Sequence, residues 1–159
     1  MMNGKCCNGL FNDLRFAPLK NTSPPKRKGV YVVKVKSRGR PTTEIIDDVK
    51  NLVRQLNWET AEKTILKRIS RIEKVGECPT IYIGSAGTNE GSKNTLANRY
   101  FELSGHRHTA MYPIWALVFF GWELEFGWKI DDNPKSLEKE FKRQYCNRHS
   151  RKLPALVVR

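Results

Sequence analysis

Two segments of the chain, Thr80–Gly84 and Trp122–Ile130, alternate between apolar and polar residues, and Gly29–Lys36 is a further strand with apolar residues on both faces. A period of two is typical of β-strands, in which successive side chains point to opposite faces of the sheet. The predicted strands are Gly29–Lys36, Thr80–Gly84 and Trp122–Ile130. In the first strand, Val30 and Val32 share one face. Tyr31, Val33 and Val35 share the opposite face.

Apolar residues recur at helical spacing elsewhere in the chain. Two apolar stripes between the first two strands predict a pair of helices within about residues 43–76. Another helix follows Asn94 or Thr95, either of which can cap its first turn. Residues 113–120 are apolar throughout, so periodicity leaves open a short helix or a buried strand. A final helix is predicted to begin with Pro134 at its first position.

The two ends of the chain carry shorter patterns. Residues 1–28 are interpreted as a basic N-terminal segment, loosely ordered, in which apolar residues within 10–19 predict a short packing segment. The prolines and cations of residues 21–28 predict a turn or linker. Residues 29–159 are expected to form the main domain. Within it, residues 153–158 predict a last edge strand.

Charge is distributed unevenly along the 159 residues, which have a formal net charge of +13. Residues 1–42 carry ten Lys and Arg against one Asp, and residues 133–159 carry eight against two Glu. Residues 77–132 carry four against seven acidic residues. Basic flanks around an acidic centre suit a polyanion held by its phosphates, although solubility alone would also explain them. The candidate nucleic-acid-binding residues are Lys26, Arg27, Lys28, Arg38 and Arg40.

Four cysteines occur without a CxxC motif or the Cys/His spacing of common zinc sites: Cys6, Cys7, Cys78 and Cys146. This spacing predicts reduced thiols and no structural zinc site. No apolar run approaches the length of about 18 residues that a membrane span requires. The first 20 residues lack a signal-peptide pattern, so a cytoplasmic protein without membrane contact is expected.

Four short motifs occur in a characteristic order along the chain. They are Gly29-Val30-Tyr31, Tyr82-Ile83-Gly84, Arg99 and Leu137-Glu138-Lys139. Together they resemble the motifs of the GIY-YIG nuclease family, over about residues 29–145. The resemblance implies an α/β (α+β) fold with a small, mostly antiparallel three-stranded sheet flanked by helices. The two helices between the first two strands would then be an insertion.

The resemblance also implies a metal-dependent phosphodiesterase that acts on DNA. Glu138 would bind a single divalent metal, Mg²⁺ or Mn²⁺, and Arg99 would hold the scissile phosphate. Tyr31 and Tyr82 would flank the attacking water. Such groups stabilise the negative charge that develops on the phosphoryl oxygens during cleavage. A tyrosine that served as general base would need nearby positive charge, because its ordinary pKa is near 10.

The chain departs from the family pattern in several places. The two motif tyrosines are 51 residues apart, whereas the family usually joins them by a short connection. Leu103 stands where many members have a histidine, four residues after the arginine. His106 or His108 could take that role, with Lys93 as a further candidate catalytic residue. An asparagine often found near the family's C-terminus has no clear counterpart.

The sequence therefore favours a Mg²⁺-dependent endonuclease acting on double-stranded DNA. A freestanding module resembles the restriction enzymes of the family more than its other members, and cutting both strands would suit a homodimer. A DNA repair or recombination nuclease is one alternative. A second is a non-catalytic nucleic-acid-binding protein, and a third is a structural protein in which these polar residues satisfy one another.

Overall fold

The computed structural model describes residues 4–55, 66–88, 93–104 and 111–157, which form a mixed α/β fold around an antiparallel sheet of four strands. The strands are β1 (Arg15–Pro18), β2 (Gly29–Ser37), β3 (Thr80–Ala86) and β4 (Glu123–Ile130). Their order in the sheet is β1-β4-β2-β3, so that β2 and β4 are the inner strands. The three strands predicted from the sequence are confirmed, with ends that differ by at most two residues.

The predicted sheet of three strands has a fourth strand in the structure, because β1 joins it at the edge. Phe16 of β1 lies opposite Gly127 of β4. The Phe16 ring covers Gly127 so closely that a Cβ at Gly127 would overlap it. With four residues and a proline, β1 is too short for alternation to reveal it.

Four α-helices lie wholly within the described residues: α1 (Thr42–Gln55), α2 (Leu96–Ser104), α3 (Met111–Phe119) and α4 (Pro134–Arg148). Two 3-10 helices, Gly4–Cys7 and Ser70–Lys74, complete the list. The helix alternative for residues 113–120 is confirmed, as is the proline at the start of α4. None of these helices has the length and apolar character that crossing a bilayer requires.

The two predicted insertion helices are described in part. The first is α1, and residues 66–69 are the helical end of the second, which continues into the 3-10 helix Ser70–Lys74. Residues 56–65 lie outside the described residues. The predicted edge strand near the C-terminus was wrong over residues 153–157, which are irregular and attach through the Leu156 amide, 2.9 Å from the Ile81 carbonyl oxygen.

The central strand β2 buries both of its faces, each of which carries the apolar residues that the sequence assigns to it. Val30 and Val32 pack against α4 and the N-terminal segment, in a cluster with Phe141 and Tyr145. Tyr31, Val33 and Val35 face the larger cluster formed with α1, α2 and α3. The apolar segment predicted within residues 10–19 is confirmed, since Leu10, Phe11, Leu14 and Leu19 are all buried.

Gly84 is a glycine because Tyr31 crosses directly over it. The two residues are partners in the antiparallel register of β2 and β3. A Cβ built on Gly84 would lie 2.5 Å from the Tyr31 ring and 2.9 Å from the Tyr82 ring. The pairing of β2 with β3 therefore brings the two tyrosines to one place only if residue 84 has no side chain.

We expect Gly84→Ala to destabilise the protein by about 1–3 kcal/mol, the usual cost of overfilling a packed site. Urea unfolding measures the change. Gly76→Ala is the matched control, because the nearest atom to its added Cβ lies 3.9 Å away. Equal destabilisation by both substitutions would contradict the contact between Gly84 and Tyr31.

Candidate functional site

Tyr31 and Tyr82 lie side by side on the same face of the sheet. Their ring centroids are 5.9 Å apart with planes inclined by 21°, and their hydroxyls hydrogen-bond each other. Tyr31 also stacks on Phe126, at a centroid distance of 5.3 Å. Tyr31 is only 1% exposed, whereas Tyr82 is half-buried. Tyr82 is therefore the outer member of the pair.

Arg99 lies on α2, between the buried stripe of that helix and solvent. Its Nη1 donates to Glu102 Oε2 at 2.9 Å. Its Nε is buried and has no hydrogen-bond partner among the described residues. A buried donor without an acceptor costs about 1–3 kcal/mol, so this nitrogen would gain from an added ligand oxygen.

Glu138 is held by contacts to both of its carboxylate oxygens. Oε2 accepts a hydrogen bond from the Ser85 hydroxyl, and Oε1 accepts one from Lys142 Nζ at 2.6 Å. Phe141, three residues later on α4, is buried and turns this side of the helix toward the sheet. The Glu138 side chain remains 20% exposed. The carboxylate therefore lies beside β3, one residue beyond Gly84.

The four residues share one electrostatic environment. Burial raises the pKa of Tyr31 well above its ordinary value, with a further contribution from Tyr82. Burial likewise raises the pKa of Tyr82. For both hydroxyls, the Arg99 charge lowers the pKa and the Glu138 charge raises it. The structure therefore brings Tyr31, Tyr82, Arg99 and Glu138 together, with both hydroxyls protonated at neutral pH.

A basic groove lies beside this site, at the end of the sheet where β2 begins. It has a volume of about 270 Å³, and its cations are Lys26, Arg27, Lys28 and Lys93. The carbonyls of Pro25 and Arg27 accept hydrogen bonds from the first amides of α2, at 3.1 and 2.8 Å. These bonds fix the basic segment against the helix that carries Arg99.

Arg38 and Arg40 lie beyond the opposite end of β2, about 30 Å from Lys28 along the strand. Arg40 forms ion pairs with Glu44 at 3.3 Å and with Asp48 at 2.8 Å. Arg38 donates to the Gly76 carbonyl. The structure therefore separates these two candidate nucleic-acid-binding residues from the other three.

Three neighbours of the site were not predicted from the sequence. Ser85 and Lys142 bind Glu138, and Arg68 lowers the pKa of Tyr82. The contact of Lys142 with Glu138 could have been predicted from the sequence, because residues four apart on a helix are neighbours. Ser85 and Arg68 depend on the tertiary fold. The predicted candidate His106 lies outside the described residues.

We expect the free energy of unfolding to fall as the pH rises above about 10, the ordinary pKa of tyrosine. The folded-state pKa values of Tyr31 and Tyr82 are raised, so the folded protein keeps protons that the unfolded chain releases. Their stabilisation is therefore complete below this pH and is lost as the pH rises toward the folded-state pKa values. Urea unfolding at a series of alkaline pH values measures this fall.

Tyr31→Phe is the comparison variant for this pH series. The substitution should reduce the slope of the free energy of unfolding against pH by up to about 1.4 kcal/mol per pH unit, the contribution of one proton. An identical slope in the wild type and the variant would show that Tyr31 has an ordinary pKa in the folded protein.

Comparison with known proteins gives no relative from which a function can be transferred. No protein-family model matches the chain, and no curated protein or solved structure matches it significantly. Inference about function therefore depends on the geometry of the site itself.

Proposed function

We propose that this protein is a metal-dependent endonuclease that hydrolyses phosphodiester bonds in double-stranded DNA. One observation carries the proposal. Tyr31, Tyr82, Arg99 and Glu138 occupy one region, and the buried Arg99 Nε has no acceptor among the described residues. A phosphate oxygen is the acceptor that a guanidinium binds best, because its donors match phosphate geometry.

The surroundings of Glu138 fit a single Mg²⁺ or Mn²⁺ ion. Mg²⁺ commonly uses one or two carboxylates and takes its other ligands from water and substrate phosphate. Lys142 Nζ hydrogen-bonds to Oε1, so a metal ion at this oxygen would displace the Lys142 contact. When bound, the ion supplies positive charge that stabilises the developing charge on the phosphoryl oxygens.

The burial of the two tyrosines suggests different roles for them. Tyr82 is the outer residue, and in this proposal its protonated hydroxyl donates to a phosphate oxygen or orients a water molecule. Tyr31 is almost fully buried behind it and acts as a positioning residue through the hydrogen bond between the hydroxyls. Because both pKa values are raised, neither tyrosine serves as the general base in this proposal.

The basic groove would hold the DNA backbone next to the site. Lys26, Arg27, Lys28 and Lys93 lie at the same end of the sheet as Tyr31. Cations that neutralise phosphates supply most of the sequence-independent affinity for DNA. Arg40 contributes little here, because two carboxylates already neutralise it. Cleavage of both strands at one position would call for two copies of the chain.

A second candidate is a non-catalytic nucleic-acid-binding protein. One observation favours it: both Glu138 oxygens already have partners in the chain, Ser85 and Lys142. In that case the carboxylate stabilises the helix on the sheet and holds no metal. The basic groove would have the same role in both proposals.

Glu138→Gln should reduce metal-dependent cleavage of plasmid DNA by at least about 100-fold, which is typical of removing one stabilising group from an active site. DNA binding should change little. The matched control is Glu140→Gln on the same helix, because Glu140 is paired with Arg143 and Gln144 on the exposed side. The control should cut at the wild-type rate.

Cleavage is measured with Mg²⁺, with Mn²⁺ and with EDTA, beside binding to the same DNA. Binding without cleavage by the wild type under every metal condition would favour the non-catalytic candidate. Equal loss of activity in Glu138→Gln and Glu140→Gln would contradict the proposed role of Glu138.

Arg27→Ala should weaken DNA binding and lower the slope of log Kd against log salt concentration by about 0.9, the value for one lost phosphate contact. Arg40→Ala removes the same side chain at the far end of β2 and should leave the slope unchanged. Titration of a labelled duplex at several salt concentrations measures both. An equal effect of both variants would indicate net charge, and not the groove, as the determinant of binding.

A further inference from the structure

Three thiols and one imidazole meet at the end of the sheet where β3 begins. Cys6 and Cys7 lie on the first 3-10 helix, Cys78 precedes β3, and His149 follows α4. One donor atom from each residue, Sγ or an imidazole nitrogen, lies within 4.8 Å of the other three. The fourth cysteine, Cys146, is not part of this group. The cluster therefore joins three segments that are far apart in the sequence.

The distances between the donor atoms are those of ligands around one ion. Cys7 Sγ lies 3.6 Å from Cys78 Sγ, 3.9 Å from Cys6 Sγ and 4.0 Å from His149 Nε2. Tetrahedral zinc with Zn–S bonds of about 2.3 Å holds its sulfur ligands about 3.8 Å apart. A disulfide would require about 2.05 Å between the sulfur atoms. The sulfur atoms therefore have the spacing of ligands around one ion, and no disulfide joins them.

The imidazole of His149 is oriented as a metal ligand. Its Nδ1 lies 2.7 Å from the Tyr145 carbonyl oxygen, to which Nδ1–H donates. The lone pair then resides on Nε2, the nitrogen that faces Cys7. The ring also stacks on Tyr145, with centroids 3.7 Å apart. A hydrogen bond from the second ring nitrogen to a backbone carbonyl is the usual support of a histidine ligand.

One of the sulfur atoms receives similar support from a neighbouring hydroxyl. Thr80 Oγ1 donates to Cys7 Sγ at 3.6 Å. A cavity of about 830 Å³ is lined by Cys78 and His149, so an ion can reach the cluster from solvent. The cluster is therefore both supported by its neighbours and accessible to an ion.

We propose that Cys6, Cys7, Cys78 and His149 bind one structural Zn²⁺ ion. Three thiolates with one imidazole form a soft, tetrahedral ligand set that suits zinc, whereas Mg²⁺ and Mn²⁺ prefer oxygen ligands. Four protein ligands leave no position open for a substrate, so the site stabilises the fold. Protons displaced from the thiols pass to solvent when the ion binds.

The ion would fix the N-terminal segment and the end of α4 to the start of β3. His149 lies about 16 Å along α4 from Glu138, so the zinc site and the proposed nuclease site are separate. Each site nevertheless takes a residue from α4 or from the position directly after it. This inference does not depend on the nuclease proposal, because its test measures metal content and stability.

The test uses the full chain, purified in reducing buffer without chelators and supplied with zinc. Elemental analysis by mass spectrometry should find about one zinc and no iron per chain, the stoichiometry of a four-ligand site. Cys78→Ser should lose most of this zinc. Cys146→Ser is the matched control, since it removes a cysteine outside the cluster, and it should keep the full amount.

Two measurements on the wild type do not depend on the folding of a variant. Cobalt substituted for zinc should show the visible absorption of a tetrahedral thiolate site. Removal of zinc by a strong chelator should lower Tm, and added zinc should restore it.

Three outcomes would overturn the proposal. One is a wild-type chain that takes up no zinc or cobalt, and another is equal zinc loss in Cys78→Ser and Cys146→Ser. The third is a Cys7–Cys78 disulfide, seen as a mass lower by two hydrogens in the protein isolated without reductant.

Discussion

The central strand β2 forms hydrogen bonds along both edges and buries both faces, and the rest of the molecule is fixed relative to it. Its register with β3 sets Tyr31 opposite Gly84, and its register with β4 sets the same residue opposite Trp128. A shift by one residue would turn every side chain of β2 to the other face. Because each face has its own apolar cluster, such a shift would expose buried residues on both sides.

The sequence was informative wherever a pattern was long enough to be read locally. The faces of β2 follow from the period of two in any strand, and α4 follows from Pro134 and the spacing of Phe141 and Tyr145. Strand β1 could not be predicted, because its four residues are too few to show a local pattern. They form a strand only through their pairing with β4. Residues 153–157 resemble a strand in composition, yet one backbone hydrogen bond to Ile81 holds them without regular pairing.

The same distinction applies to the sites. The sequence suggested that the two tyrosines, Arg99 and Glu138 belong to one site, because their order along the chain resembles a family motif. That resemblance needs no knowledge of the fold. The contact of Ser85 with Glu138 was not predicted, since it depends on how α4 lies on β3. The cysteine cluster was missed for a related reason. Its ligands come from three separate segments, so no local spacing rule could detect them.

The position of β1 in the sheet has a consequence for how the chain folds. In the order β1-β4-β2-β3, β4 is the one described strand that pairs with β1, and Arg15 pairs with Trp128 more than a hundred residues later. Contacts of such long range form slowly, because the intervening chain must first lose conformational entropy. During synthesis β1 leaves the ribosome before the other strands, yet it has no partner until β4 has followed. The first strand to be made is therefore the last that can join the sheet.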